Sequence, residues 1–302
     1  MKLRYFATRF ASVMAAATLT MTACDDDILY DFDGIRLGTE SQGAVVSGNS
    51  SLVEIPELQK GDLFITHNLI GSSDTVMNYS LAYDTVKMHS RWVAFRFDGS
   101  NRKKNTGRSD SDAFQDDPDL PSRFYVGSYG FGSGYDRGHL CASNDRLISE
   151  EANRQTFYMT NMSPQMSAFN QLYWVGFELY VQDLGRSESF SDTLYVVKGG
   201  TIKDSQIEGY ITRPNGKTVP VPKYYYMALL SCKSGSYSAI GFWMEHRSYD
   251  EVSDVDKTEI AKRAVCIDEL EELTGINFFH NLPDAVEAKV EAEYQLSSWN
   301  LQ

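Results

Sequence analysis

Eleven consecutive residues, Asp136-Arg137-Gly138-His139-Leu140-Cys141-Ala142-Ser143-Asn144-Asp145-Arg146, gather one histidine, two arginines, two aspartates and two small polar residues. That inventory suits a phosphodiester. The imidazole can accept a proton, the guanidinium groups can meet an anionic centre, and Gly138 lets the backbone come close. The whole chain of 302 residues holds five histidines, so one in this company is a poor candidate for packing filler. What the loop lacks is a metal site.

The elements that must position the loop follow from side-chain alternation. Residues 78–84 and 90–97 alternate aromatic and β-branched side chains and predict strands. Residues 98–134 are polar and glycine-rich, a long loop of the kind that is often functional inside a compact domain. After the histidine loop, residues 156–161 predict a short strand, broken at Met162-Ser163-Pro164, and residues 168–183 predict a helix. Further strands are predicted at 193–197, 224–230 and 238–244. A helix is predicted over 256–273, closed by Gly275. Residues 283–302 read as a polar terminal helix. No internal repeat is visible, and the whole reads as one α+β domain.

On the predicted helix, Asn170, Trp174 and Glu178 recur every four residues and share one face. Spacing alone leaves two readings open. Trp174 can pack on the core between two solvated polar neighbours, or Asn170 and Glu178 can be the missing metal site.

The N-terminus has its own logic. Lys2, Arg4 and Arg9 precede an uncharged apolar run that ends in Met21-Thr22-Ala23-Cys24. The run is too short to cross about 30 Å of hydrocarbon, so residues 1–23 read as a lipoprotein signal peptide with Cys24 as the lipidated residue. Ordinary signal-peptidase cleavage is the alternative. Asp25-Asp26-Asp27 resembles the acidic stretch behind the lipidated cysteine of surface-exported lipoproteins in some Gram-negative bacteria; a solvated linker start is the alternative. Residues 24–52 form an acidic, then Gly- and Ser-rich tether. The expected location is the cell envelope, lipid-anchored at the outer membrane or cell surface of a Gram-negative bacterium.

Removing Lys2, Arg4 and Arg9 with the signal peptide takes the formal charge from −13 to −16. That counts against tight nucleic-acid binding, which favours basic surface. It is compatible with weak binding and turnover if the cleft is locally basic and a divalent cation offsets charge. Of the remaining cysteines, Cys232 and Cys266 could pair and leave Cys141 buried and free; their spacings fit no zinc pattern.

The Asp136-Arg137-Gly138-His139 tetrad, with Asn170 placed 31 residues after the histidine, resembles the DNA/RNA non-specific endonuclease family. These are ββα-metal nucleases, the group that includes mitochondrial endonuclease G. Asn161-Met162-Ser163-Pro164-Gln165, the Asn170-Trp174-Glu178 helix, Val197-Lys198-Gly199-Gly200, residues 221–225 and residues 267–275 extend the likeness over about residues 60–283. The resemblance implies a ββα-metal core set in a mixed, largely antiparallel sheet with flanking helices. It implies an endonuclease domain over 53–283, followed by a helical tail at 284–302.

It also implies roles. His139 corresponds to the general base, and Asn170 to the sole protein ligand of one Mg²⁺ ion, for which Mn²⁺ can substitute. Glu178 corresponds to the residue that holds a water of that ion. Arg137 corresponds to the arginine near the scissile phosphate, with Asp136, Gly138 and Trp174 in support. DNA and RNA are the implied substrates, with no nucleotide cofactor. Two positions depart from the family pattern. Gln182 stands where an arginine is common, with Arg186 one turn further on. Arg108 is the nearest candidate for an upstream arginine.

Two other readings stay open. One is a non-catalytic surface lipoprotein on a nuclease scaffold, and the other is a phosphodiesterase for small nucleotides. His67, His89, His246 and His280 read as structural, Tyr224-Tyr225-Tyr226 as core and edge of a strand, and Asp116-Asp117 as a solvated acidic turn rather than a second metal site.

Overall fold

The structure is a computed structural model and describes residues 52–70, 75–110, 113–132 and 134–301. The expected signal peptide, Cys24 and all of the tether except Leu52 lie outside the described residues. Seven strands form one sheet: β1 (Asp62–Ile70), β2 (Thr75–Asp84), β3 (His89–Phe97), β6 (Thr193–Gly200), β9 (Tyr224–Lys233), β10 (Ser236–Glu245) and β11 (Ala264–Val265), in that spatial order. Every pairing in it is antiparallel. Among the described residues the one parallel pairing is the isolated bridge Gln115–Tyr158. The architecture is α+β.

Strand alternation sends the two halves of each strand to two cores. Val93, Phe95 and Phe97 of β3 pack on one face with Phe177, Val181 and Leu184 of helix α2 (Val175–Arg186). Trp92 and Ala94 pack on the other with Ile267 and Leu270 of α4 (Ile267–Thr274) and Val290 of α5 (Asp284–Ala292). Each large apolar side chain so buried contributes about 1.5–3 kcal/mol, which pins α2 to the sheet. Truncating fully buried Phe177 to alanine would cost about 3–5 kcal/mol.

The ββα unit lies on the α2 face. Strands β4 (Tyr135–His139) and β5 (Met162–Met166) form a two-stranded ribbon, and α2 follows β5. Helix α1 (Glu150–Gln155) joins the two strands, capped by Ser149, whose Oγ accepts the Ala152 N–H at 3.1 Å. A second ribbon, β7 (Ile207–Thr212) with β8 (Thr218–Pro222), stands beside it.

Several predicted elements take another form. The strand expected at 156–161 is a tight turn, and the strand instead begins at Met162 and runs through Pro164. Proline is tolerated there because a two-stranded ribbon has two free edges. The helix expected from 168 begins with a π-helical turn, Phe169–Trp174, before α2.

The helix expected over 256–273 is two helices, α3 (Lys257–Ala261) and α4. Between them Ala264–Val265 pair with β10 and Trp243 N–H donates to Arg263 O at 3.0 Å. Covering the edge of β10 outweighs helical continuity. Gly275 closes α4 in the left-handed region, as expected. The terminal helix ends at Ala292, and beyond it Trp299 and Leu301 are buried in the α2-side core, where Tyr180 Oη donates to Trp299 O at 2.7 Å.

Cys232 and Cys266 are free. Cys232 sits opposite Tyr237 of β10, whereas Val265, next to Cys266, sits opposite Gly241. Four residues of strand, about 13 Å, separate the two levels, beyond the ~7 Å reach of a disulfide. Cys141 is buried and free, as expected.

Candidate active site

Gly138 sets the spacing of the β4–β5 ribbon. It pairs with Ser163, and a Cβ built on it would lie 2.0 Å from Oε1 of fully buried Gln165. Only glycine fits. Downstream of His139 the chain is held by Asn161, which accepts the Cys141 N–H at 2.8 Å and donates to Cys141 O at 2.8 Å. Trp174 reaches back from the π-turn, its indole N–H donating to His139 O at 3.0 Å. The tryptophan is fully buried, so it both packs in the core and positions the histidine backbone.

The His139 ring packs against two phenylalanines that also touch each other: Phe157 lies at 5.0 Å and perpendicular to it, Phe114 at 5.8 Å, and the two phenyl centroids are 5.0 Å apart. A guanidinium lies over each of these rings. Arg137 lies 3.6 Å from the Phe114 centroid and Arg108 5.0 Å from that of Phe157. The result is a triangle of three rings, with a guanidinium over each phenylalanine. The ring is 8% exposed and Nε2 is buried without a hydrogen-bond partner. Burial pushes its pKa down to about 3, and the charges of Arg108, Arg137 and Lys198 push the same way. The imidazole is neutral at physiological pH.

Asp136 organises the start of the helix. Its Oδ2 accepts from Asn170 Nδ2 at 3.0 Å and Gln171 Nε2 at 2.9 Å, and its Oδ1 from Ser167 Oγ at 2.8 Å. Burial alone would raise its pKa, but these three donors outweigh burial and hold it below the usual carboxylate range. A carboxylate can only accept, so Asn170 must present its NH2 to Asp136, and its amide oxygen points the other way. That oxygen is the atom offered to a cation. Magnesium needs few protein ligands and keeps most of its waters, so a single fixed oxygen fits the ion.

Glu178, the carboxylate that the resemblance assigns to a water of the ion, lies on α2 beyond the π-turn. It is only part-exposed, and burial pushes it up to about 8. Lys198 opposes that shift, Asp145 reinforces it, and the Trp174 indole and Arg108 oppose it. Lys198 of β6 and Asp145 form a fully buried ion pair at 2.9 Å beneath the site. Asp145 Oδ2 also accepts the Ala142 N–H at 2.9 Å, which ties the histidine loop to the sheet. Gln182 is buried, 5% exposed. Arg186 donates to Asn144 O and lies 5.4 Å from the Phe97 ring, so it braces the histidine loop from α2.

Sequence reasoning missed Phe114, Phe157 and the Lys198–Asp145 pair as parts of this site. The long loop expected at 98–134 borders the site, held by contacts that the sequence does not mark. Buried Arg213 donates to the carbonyls of Val126, Gly127, Tyr129 and Gly130, and Arg137 Nη1 donates to Ser128 O at 2.6 Å. The loop so fixed presents Tyr129, 70% exposed, next to Arg137.

Two of the other histidines are held by hydrogen bonds at both ring nitrogens. His89 bonds Ser90 O and Ser163 Oγ, and His246 bonds Pro222 O and the Met166 N–H. The acidic turn at Asp116-Asp117 is not solvated as expected. Asp117 is 1% exposed and accepts from His67 Nε2 at 3.0 Å and from Thr160, while His67 Nδ1 faces Asp119 at 3.2 Å. Both imidazole nitrogens are spent as donors, which leaves none for an ion. Tyr225 and Tyr226 are core residues, as expected.

Residues 59–285 match the model of the DNA/RNA non-specific endonuclease family. Nuclease C1 of Cunninghamella echinulata var. echinulata is 28% identical over 214 residues, covering 68% of this chain and 81% of its own length. A nuclease of Nostoc sp. is 31% identical over 220 residues, covering 71% of this chain and 76% of its own. The mitochondrial nuclease EXOG of Xenopus laevis is 30% identical over 219 residues; this chain spans 58% of its length. A chain in the crystal structure of an EndoG/EndoGI complex superposes with a TM-score of 0.56 at 22% identity, covering 74% of this chain and 89% of that one, and shares the fold. The chain belongs to the DNA/RNA non-specific endonuclease family, and with it to the nucleic-acid-hydrolysing enzymes.

Proposed function

We propose that this protein is a lipid-anchored, magnesium-dependent endonuclease that hydrolyses phosphodiester bonds in DNA and RNA with His139 as general base. The observation that carries the reading is the pairing of a neutral His139 with an Asn170 oxygen that Asp136 turns outward.

Nε2 of His139 is sealed among aromatic rings, so the proposed proton acceptor is the lone pair on Nδ1. An attacking water loses its proton there. Arg137 spends one of its donors on Ser128 O and keeps others for a phosphoryl oxygen. Arg108, over the Phe157 ring, adds positive charge where the transition state gains negative charge. Magnesium held by Asn170 would polarise a phosphoryl oxygen and stabilise the leaving oxygen. Products carry a 5′-phosphate and a 3′-hydroxyl. Tyr129 offers an exposed ring to a nucleobase, a contact that tolerates any sequence. With a formal charge of −16 after removal of the signal peptide, long-range attraction is weak, so binding rests on these local groups.

Lipidation at Cys24 places the enzyme at the cell envelope, with the tether spacing it from the membrane. Degradation of extracellular nucleic acid is the role that fits that location. The test is digestion of plasmid DNA and RNA by a fragment from about residue 50, with Mg²⁺, with EDTA, and with His139→Ala. Digestion in Mg²⁺ only, lost in the variant, supports the reading. A fragment that binds metal and leaves every nucleic acid whole overturns it.

A further inference from the structure

On the sheet face opposite His139, α4 and α5 bring three carboxylates together. Ligand oxygens of Asp268, Glu271 and Glu291 all lie within 4.8 Å of one another. Among the described residues none of the three forms an ion pair. Glu271 spends Oε1 on the Phe278 N–H at 2.6 Å. Glu291 is 4% exposed, and its Oε1 is buried with no hydrogen-bond partner. An ionised carboxylate buried without a partner is strongly unfavourable. Its position makes matters worse. Glu291 stands in the last turn of α5, at the negative end of the helix dipole.

We propose that Asp268, Glu271 and Glu291 form a divalent-cation site of the calcium class that fastens α5 to α4. Calcium takes six to eight oxygens at about 2.4 Å, so two oxygens in one shell lie at most ~4.8 Å apart. The three carboxylates meet that span. Magnesium keeps most of its waters and takes few protein ligands, so a set of three carboxylates suits calcium better. The ion would answer the orphaned Glu291 oxygen and the mutual repulsion of the group, to which Glu287 adds a fourth negative charge. The competing solution is a proton. Burial, with Glu271, Glu287 and Asp268, pushes Glu291 up to about 8, and burial with Asp268 and Glu287 pushes Glu271 up to about 7, the Phe278 N–H opposing.

The test separates the two and is independent of nuclease activity. Full-length protein in detergent, carrying Asn170→Ala to silence the proposed magnesium ligand, is stripped with EDTA and unfolded by heat at increasing calcium. The site predicts a rise in Tm of roughly 5–10 °C at a hundredfold excess over Kd. Magnesium should give a smaller rise at the same concentration. Glu291→Gln should fold and lose the calcium response, and Asp268→Asn, at an exposed position, should weaken it. The proposal is overturned if about 10 mM calcium, well above the range of extracellular modules, leaves the Tm unchanged. It is equally overturned if the calcium response survives in Glu291→Gln.

Discussion

Asp136 on β4 holds the side-chain amide of Asn170, at the start of the π-turn, at 3.0 Å, and thereby decides which end of that amide faces outward. Asp136→Asn removes the constraint, because a neutral amide can donate or accept and Asn170 can then turn either way. The apparent affinity for Mg²⁺ should fall about 10- to 100-fold, as for other groups that orient a metal ligand. Activity at saturating Mg²⁺ should fall less. Magnesium titrations of plasmid cleavage check this, and an unchanged midpoint would show that Asp136 does not orient the ligand.

Removing the imidazole should cost more. His139→Ala is expected to lower kcat by about 10²- to 10⁴-fold, the range for loss of a general base. Circular dichroism should report a folded protein. The pH profile follows from burial and the flanking cations, which push His139 down to about 3. The base is deprotonated above that value, so kcat/KM, which reports the free enzyme, should show no acid limb from His139 near its ordinary pKa of about 6.5. A limb at 6.5 that vanishes in a folded His139→Gln variant would refute a neutral, desolvated base.

Much of this site was legible because its residues lie close in sequence or at helical spacing: Asp136 to His139 in one run, then Asn170, Trp174 and Glu178. The central strands were legible because a strand buried on both faces reads as a nearly continuous run of aromatic, β-branched and other apolar residues, as Trp92 to Phe95 do. What stayed hidden depended on tertiary contact. Lys198 and Asp145 are 53 residues apart, and nothing local marks them as a pair. Phe114 and Phe157 are ordinary aromatics until the fold sets both of them against His139. The π-turn was illegible because one six-residue turn barely changes an apolar periodicity. The break between α3 and α4 was hidden because residues 256–273 satisfy a helical pattern, while the open edge of β10 decided otherwise.

Gly138 gives a stability prediction. Gly138→Ala drives a methyl into Gln165, whose enclosed side chain cannot swing into solvent. The cost should be about 1–3 kcal/mol, typical of overpacking. Gln165→Ala in the same chain should recover part of it, because it removes the clashing atoms. Urea unfolding of the two single variants and the double variant measures the coupling, and strictly additive losses would rule out this contact as the cause.

Tyr129 gives a binding prediction. Its loop is anchored by Arg213 and Arg137, so the ring is presented without being needed for packing. Tyr129→Ala should raise KM for single-stranded DNA roughly 5- to 150-fold, equivalent to the ~1–3 kcal/mol of one base–aromatic stack, with kcat nearly unchanged. Tyr129→Phe should retain the wild-type KM, since stacking uses the ring and not the hydroxyl. An alanine variant with unaltered KM would exclude a stacking role.

The acidic turn at Asp117 supplies a pH-dependent lock. His67 on β1 donates to Asp117 with one ring nitrogen and faces Asp119 with the other, and the loop it grips carries Phe114 to His139. Burial would lower the His67 pKa, but the Asp117 charge and the hydrogen bonds to both carboxylates outweigh it and raise it to about 9. The unfolded chain has an ordinary histidine near 6.5. The folded state therefore holds this proton more tightly, and the stabilisation is fully present below about pH 6.5. It declines as pH rises and is gone above about 9. At roughly 1.4 kcal/mol per unit, the loss is on the order of 3 kcal/mol. Other groups titrate above pH 9, so the comparison that isolates His67 is with His67→Gln. The variant should be less stable than wild type at about pH 6, and the gap should close by about pH 9–10. A gap that stays constant across that range would mean that His67 acts by packing and not by charge.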